Sequence, residues 1–97
     1  MKIIIEPEAR QFIIDKGNGE FVLDMVTARG WCYGIEQPMV ILGKPKERKY
    51  QFVPIDLDGI TMYKNTVYGD DVRFQVSLAK LAFFKSIRID PLRKEDE

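Results

Sequence analysis

Thr27-Ala28-Arg29-Gly30-Trp31-Cys32-Tyr33-Gly34 sets the chain's only cysteine beside its only tryptophan, between two glycines. The run entering this stretch, Phe21-Val22-Leu23-Asp24-Met25-Val26, reads as a strand, and Met39-Val40-Ile41-Leu42 reads as the strand leaving it. Glycines between two strands let a backbone bend sharply and present side chains instead of burying them. Phe21–Val26 is apolar on both parities except at Asp24, the pattern of a central strand covered on both faces.

Working toward the N-terminus, Lys2–Ile5 is a short β-branched run that Pro7 stops. From Pro7 to Lys16 the apolar residues Ala9, Phe12 and Ile13 recur at helical spacing, with Glu8 in the first turn, Lys16 in the last and Gly17 just beyond. The spacing predicts one amphipathic helix laid on a sheet, and Gly17-Asn18-Gly19 predicts a turn. Working toward the C-terminus, Gly43–Lys49 carries enough charge to be a solvated excursion, and Tyr50–Ile55 reads as an edge strand because of Pro54. Asp56-Leu57-Asp58-Gly59 predicts a hairpin turn into Ile60–Tyr63. Residues 65–71 read as loop, Val72–Leu78 as a half-buried strand and Leu81–Ile89 as a last strand with Lys85 and Arg88 turned outward. A frayed tail is expected from Leu92 to Glu97. The sum is a single α+β domain over 1–97, with one N-terminal helix and about seven strands, mostly antiparallel because the connections are short.

Composition removes several kinds of chemistry. Fifteen Lys plus Arg balance fifteen Asp plus Glu, so no global field selects nucleic acid or an anionic membrane. No apolar run reaches membrane-spanning length, and Glu6-Pro7-Glu8 interrupts the N-terminal one before a signal core is complete, so a soluble, cytoplasmic protein is expected. The absence of histidine excludes imidazole-based triads and histidine metal sites. One cysteine makes neither an internal disulfide nor a four-cysteine zinc site. The seven glycines never take the spacing of a phosphate-cradling loop. An enzyme using Cys32 as nucleophile ranks last, since no imidazole can serve as its base.

Within the central stretch, Cys32 reads as a thiolate or metal ligand, activated by Arg29 and by backbone N–H groups exposed where Gly30 and Gly34 bend the chain. The plainer alternative is a small buried hydrophobe. Trp31 and Tyr33 frame a contact surface or, more simply, anchor the loop to the core. Lys44, Lys46, Arg48 and Lys49 beside Tyr50 and Phe52 suggest a stacking patch for nucleic acid, but Glu47 interrupts it and a charged hairpin edge explains it as well. Asp56 with Asp58, and Asp70 with Asp71, lack the spacing of a calcium loop and suit turns.

The order of elements, together with Glu6-Pro7-Glu8-Ala9-Arg10-Gln11-Phe12-Ile13, Val40-Ile41-Leu42-Gly43-Lys44-Pro45 and Leu81-Ala82-Phe83-Phe84-Lys85-Ser86-Ile87, resembles the CC/Se-motif proteins. These are small relatives of the HesB-like, A-type iron-sulfur carrier fold. The resemblance implies a compact β-rich fold carrying a helix, and a link to iron-sulfur assembly or thiol redox chemistry. It implies that Cys32 is the metal ligand, with Arg29, Gly30, Trp31, Tyr33 and Gly34 forming the contact loop around it. Where such relatives present two adjacent cysteines, or a cysteine and a selenocysteine, this chain has Trp31-Cys32, and no Cys-x-Cys follows Ile89. Because a cluster is held by about four ligands, an iron-sulfur cluster or iron is expected only where it is shared between chains. Such sharing calls for a homo-oligomer or an assembly partner protein. A binding or oligomerisation module that keeps the scaffold without the metal chemistry is the alternative.

Overall fold

The computed structural model describes residues 1–29 and 34–92. In chain order the elements are β1 (Lys2–Ile5), α1 (Pro7–Gly17), β2 (Glu20–Arg29), β3 (Gly34–Leu42), a short 3-10 turn (Lys49–Gln51), β4 (Phe52–Leu57), β5 (Ile60–Asn65), β6 (Arg73–Leu81) and β7 (Phe84–Pro91). The strands form a three-stranded sheet, β1-β6-β7, and a four-stranded sheet, β3-β2-β5-β4. Helix and strands assemble into the α+β, β-rich fold expected from the sequence. Among the described residues no helix is long and apolar enough to cross a membrane.

Pro7 opens α1 at a position where its missing N–H costs nothing. The helix ends on Asn18, whose φ of 56° lies in the left-handed region, and Gly19 N–H then returns to the Ile13 carbonyl at 3.0 Å. Ala9 and Ile13 face inward from α1 and are fully buried. They meet Phe21 and Leu23 of β2, Ile60 and Met62 of β5, Val76 of β6 and Ile87 of β7, which together form the core between helix and sheets. Phe21, Val22, Leu23 and Asp24 are all buried, so β2 is central and covered on both faces as its sequence predicts.

Three of the strand pairings, β2 with β3, β4 with β5 and β6 with β7, are antiparallel. The other two, β1 with β6 and β2 with β5, are parallel. Loop length predicts only neighbours in sequence, and both parallel pairs join strands far apart along the chain. The β4–β5 hairpin turns at Asp58 and Gly59, with φ of 55° and 94°, and Asp56 Oδ1 accepts the Gly59 N–H at 3.1 Å. The Asp-Gly turn signal is thus fulfilled.

Three expectations are corrected. β2 runs through Thr27–Arg29 and β3 begins at Gly34, so much of what reads as loop is paired strand. Tyr50 belongs to the 3-10 turn instead of a strand and is 84% exposed. The last hairpin turns at Ala82 and Phe83, between β6 and β7, where the sequence suggests continuous strand.

Candidate functional site

The predicted site lies at the end of the β2–β3 hairpin. Its register runs without interruption from Phe21 opposite Leu42 to Arg29 opposite Gly34. On its other side β2 pairs with β5 only over Glu20–Leu23. Beyond that point β2 has β3 alone as its ladder partner among the described strands. Over residues 24–29 the ladder is therefore a two-stranded arm, whose length from Leu23 to Arg29 is about 20 Å at about 3.3 Å per residue. Its middle is wet: Val26, Thr27, Glu36 and Gln37 are exposed. The structure pairs Arg29 with Gly34 at the arm's far end. Gly30, Trp31, Cys32 and Tyr33, which join these two residues in sequence, lie outside the described residues.

The root of the arm is clamped by a buried carboxylate. Asp24 is 5% exposed, and its Oδ1 accepts the Met25 N–H at 2.7 Å and the Asn65 side-chain amide at 2.8 Å. Its Oδ2 accepts Arg48 Nη2 at 2.9 Å, and the Tyr68 hydroxyl donates to the Asp24 backbone carbonyl at 3.4 Å. Burial by itself disfavours the charged carboxylate and pushes its pKa up. The hydrogen bonds from Asn65, Met25 and Arg48, with the charge of Arg48, outweigh burial and hold the carboxyl below its usual range. Asn65 is fixed in turn, since its Oδ1 accepts the Val67 N–H at 2.9 Å. Tyr68 stacks edge-on against Phe74, with centroids 5.7 Å apart. Its hydroxyl is pushed up by burial and by the negative charges of Asp24 and Glu36.

Asp24, Asn65 and Tyr68 are absent from the candidates named by sequence, and Arg48 is named there only as part of a cationic patch. The available signal was Asp24 itself, the one charged residue in an otherwise apolar central strand. Arg48, read above as part of a solvated cationic run, reaches Asp24 with a side chain that stays half exposed, from a backbone φ of 51°. The rest of that excursion arches over a cleft of about 350 Å³, floored by Val22, Met39, Ile41 and Phe52 and rimmed by Lys44 and Lys46.

One chain offers a sparse donor set. Among the described residues no three His, Cys, Asp or Glu side chains converge where a metal could be held. Asp56 serves its turn, as expected. The sequence adds one thiol and no imidazole. The side chains of one chain do not fit an iron-sulfur cluster, which takes about four ligands.

Known proteins place this architecture. No curated protein matches the chain. Among solved structures, SufA of Escherichia coli, described as involved in biosynthesis of iron-sulfur clusters, superposes with a TM-score of 0.56. The match covers 94% of this chain and 86% of SufA at 9% sequence identity, a likeness of fold alone. The fold is therefore the HesB-like one that the sequence resembles. The model of the CC/Se motif containing family matches residues 1–92. With nearly its whole length matched by that model, the chain belongs to the CC/Se motif containing family.

Proposed function

We propose that this chain is a non-catalytic accessory protein of iron-sulfur or thiol chemistry in the cytoplasm, with Cys32 as its single ligand and further chains completing the coordination. The family match over residues 1–92 carries the reading, because it attaches a cysteine-centred motif to this scaffold. Two things support it. The β2–β3 arm sets the paired ends Arg29 and Gly34 well away from the core, and the solved structure of like fold belongs to a protein involved in biosynthesis of iron-sulfur clusters. One thiolate per chain then dictates assembly: bound iron has to draw its remaining ligands from another copy, a partner protein or a small thiol.

Anaerobic reconstitution with ferrous iron and sulfide tests this. The wild-type chain is expected to develop a thiolate-to-iron absorption band that rises faster than linearly with protein concentration, and Cys32→Ser is expected to lack it. No band at any concentration, or an equal band in the variant, refutes the proposal.

A further inference from the structure

The hairpin joining β6 to β7 ends in Leu81-Ala82-Phe83-Phe84, and every large side chain in it is out in water. Leu81 is 58% exposed, Phe84 62%, and Phe83 is fully exposed. Ala82 has a φ of 48°, at the first central position of a two-residue turn where glycine is normally required. A left-handed alanine costs about 1 kcal/mol. The fold thus holds a strained turn that displays apolar surface, a combination with no structural benefit to an isolated chain. Just below the knob, Lys80 and Lys85 stand directly opposite each other in the ladder, a like-charge pair that weakens the hairpin.

A receptor for this knob lies beside it. Phe12 of α1 and Leu78 of β6 line a groove of about 290 Å³, large enough to admit an aromatic side chain. Glu8 and Asp15 supply acidic groups to its walls, and Lys80 and Lys85 supply basic ones. Lys80 is partnered within the chain, by Glu8 at 3.3 Å. Asp15 accepts a hydrogen bond from Gln11 at 2.9 Å but has no ion-pair partner among the described residues, and neither has Lys85. The surface therefore contains an apolar knob, an apolar-floored groove, one unpaired cation and one unpaired anion, all side by side. Such a patch is complementary to itself under a two-fold rotation, the condition for a closed isologous dimer.

We infer that the β6–β7 tip is a dimerisation element: Phe83 and Phe84 of one copy seat in the α1–β6 groove of a second copy, with Lys85 facing the second copy's Asp15, and the reverse contact closes the pair. A second copy of the chain fits better than a membrane surface, because the acidic Glu8 and Asp15 balance the basic Lys80 and Lys85 around the groove, leaving no net positive charge to draw anionic headgroups, while Lys85 and Asp15 offer complementary charges to another copy. The inference deepens the proposed function, resting on its requirement for more than one chain, by naming the surface that brings two copies together. It does not depend on Cys32.

Sedimentation equilibrium with three sets of variants tests it. The wild-type chain is expected to dimerise, and Phe83→Ser with Phe84→Ser to weaken association about tenfold or more, while the melting temperature measured on dilute, monomeric protein stays unchanged. Lys85→Glu and Asp15→Lys should each weaken the dimer, and the two together should restore it. Cys32→Ser should dimerise like wild type. A monomeric wild type at millimolar concentration, a dimer indifferent to the tip variant, or a charge pair that fails to rescue overturns the inference. So does a monomer whose tip drives it onto phosphatidylglycerol vesicles. If the dimer forms as described but no iron band develops, the functional proposal fails and the interface stands; an iron band on a chain whose association ignores the tip has the opposite meaning.

Discussion

Phe21→Ala is expected to cost about 3–5 kcal/mol of folding stability, the range for removing a buried aromatic ring. Phe21 is fully buried on the central strand and belongs to the cluster that includes Ala9 and Ile13 of the helix and Met62 and Val76 from the two sheets. That cluster draws on the helix and both sheets, so no single element can shift to fill the void. For a domain of this size each kcal/mol moves the melting temperature by roughly 4–8 °C, and the variant should melt at least about 12 °C below wild type. Phe83→Ala removes a side chain of the same size from full solvent exposure, and its stability should change by less than about 0.5 kcal/mol. Thermal unfolding by circular dichroism of the two variants side by side checks the assignment of core and tip. Similar losses in both would contradict it.

Asp24→Asn has the second largest expected effect, with a dependence on pH that a packing defect lacks. The native carboxyl is held below its usual range, so near pH 4 the unfolded chain binds more protons at this position than the folded one. Its stabilisation is therefore complete above the unfolded value of 3.8 and disappears as the pH falls through the lower native value. Asparagine offers one acceptor oxygen where Asn65, Met25 and Arg48 now share two, and it leaves a donor facing donors. We expect a loss of about 2–3 kcal/mol at neutral pH, the scale of a broken charge-assisted network. The gap from wild type should narrow as the pH is lowered from 6 toward 3, measured by urea denaturation at each pH. A gap that is constant over this range would show that the charge of Asp24 contributes nothing.

The parts of the fold written in local chemistry were legible in the sequence. Pro7 and Asn18 bound the helix, Asp58-Gly59 makes its hairpin, and the unbroken apolar run Phe21–Leu23 marks the central strand. What escaped depends on partners. Thr27–Arg29 and Gly34–Gln37 carry little apolar patterning and become strand only because each pairs with the other. Ala82 turns the last hairpin without Gly, Asn or Pro, so no turn residue announces it. The clamp on Asp24 joins side chains 24 and 41 residues away in sequence, Arg48 and Asn65, which no spacing rule connects.

For the candidate site the sequence names a position, Cys32 and its neighbours, of which residues 30–33 lie outside the described residues. Composition reduces the available chemistry to one thiol, and the family match supports attaching function to it. The structure adds a two-stranded arm, the paired Arg29 and Gly34 at its end, and the buried clamp at its root, while Cys32 lies outside the described residues. A rigid root matters for a two-stranded arm, since an isolated hairpin is marginally stable in water. Loosening the clamp through Asp24→Asn should therefore reach the far end of the arm without changing any residue there.

The most direct test of a site shared between chains is the native mass of the iron-loaded protein, recorded together with its iron content. The account predicts iron only on species of two or more chains, or on a chain paired with a partner protein or small thiol, and none in Cys32→Ser. Iron retained on a lone chain without an added thiol, or retained equally by the variant, would contradict it.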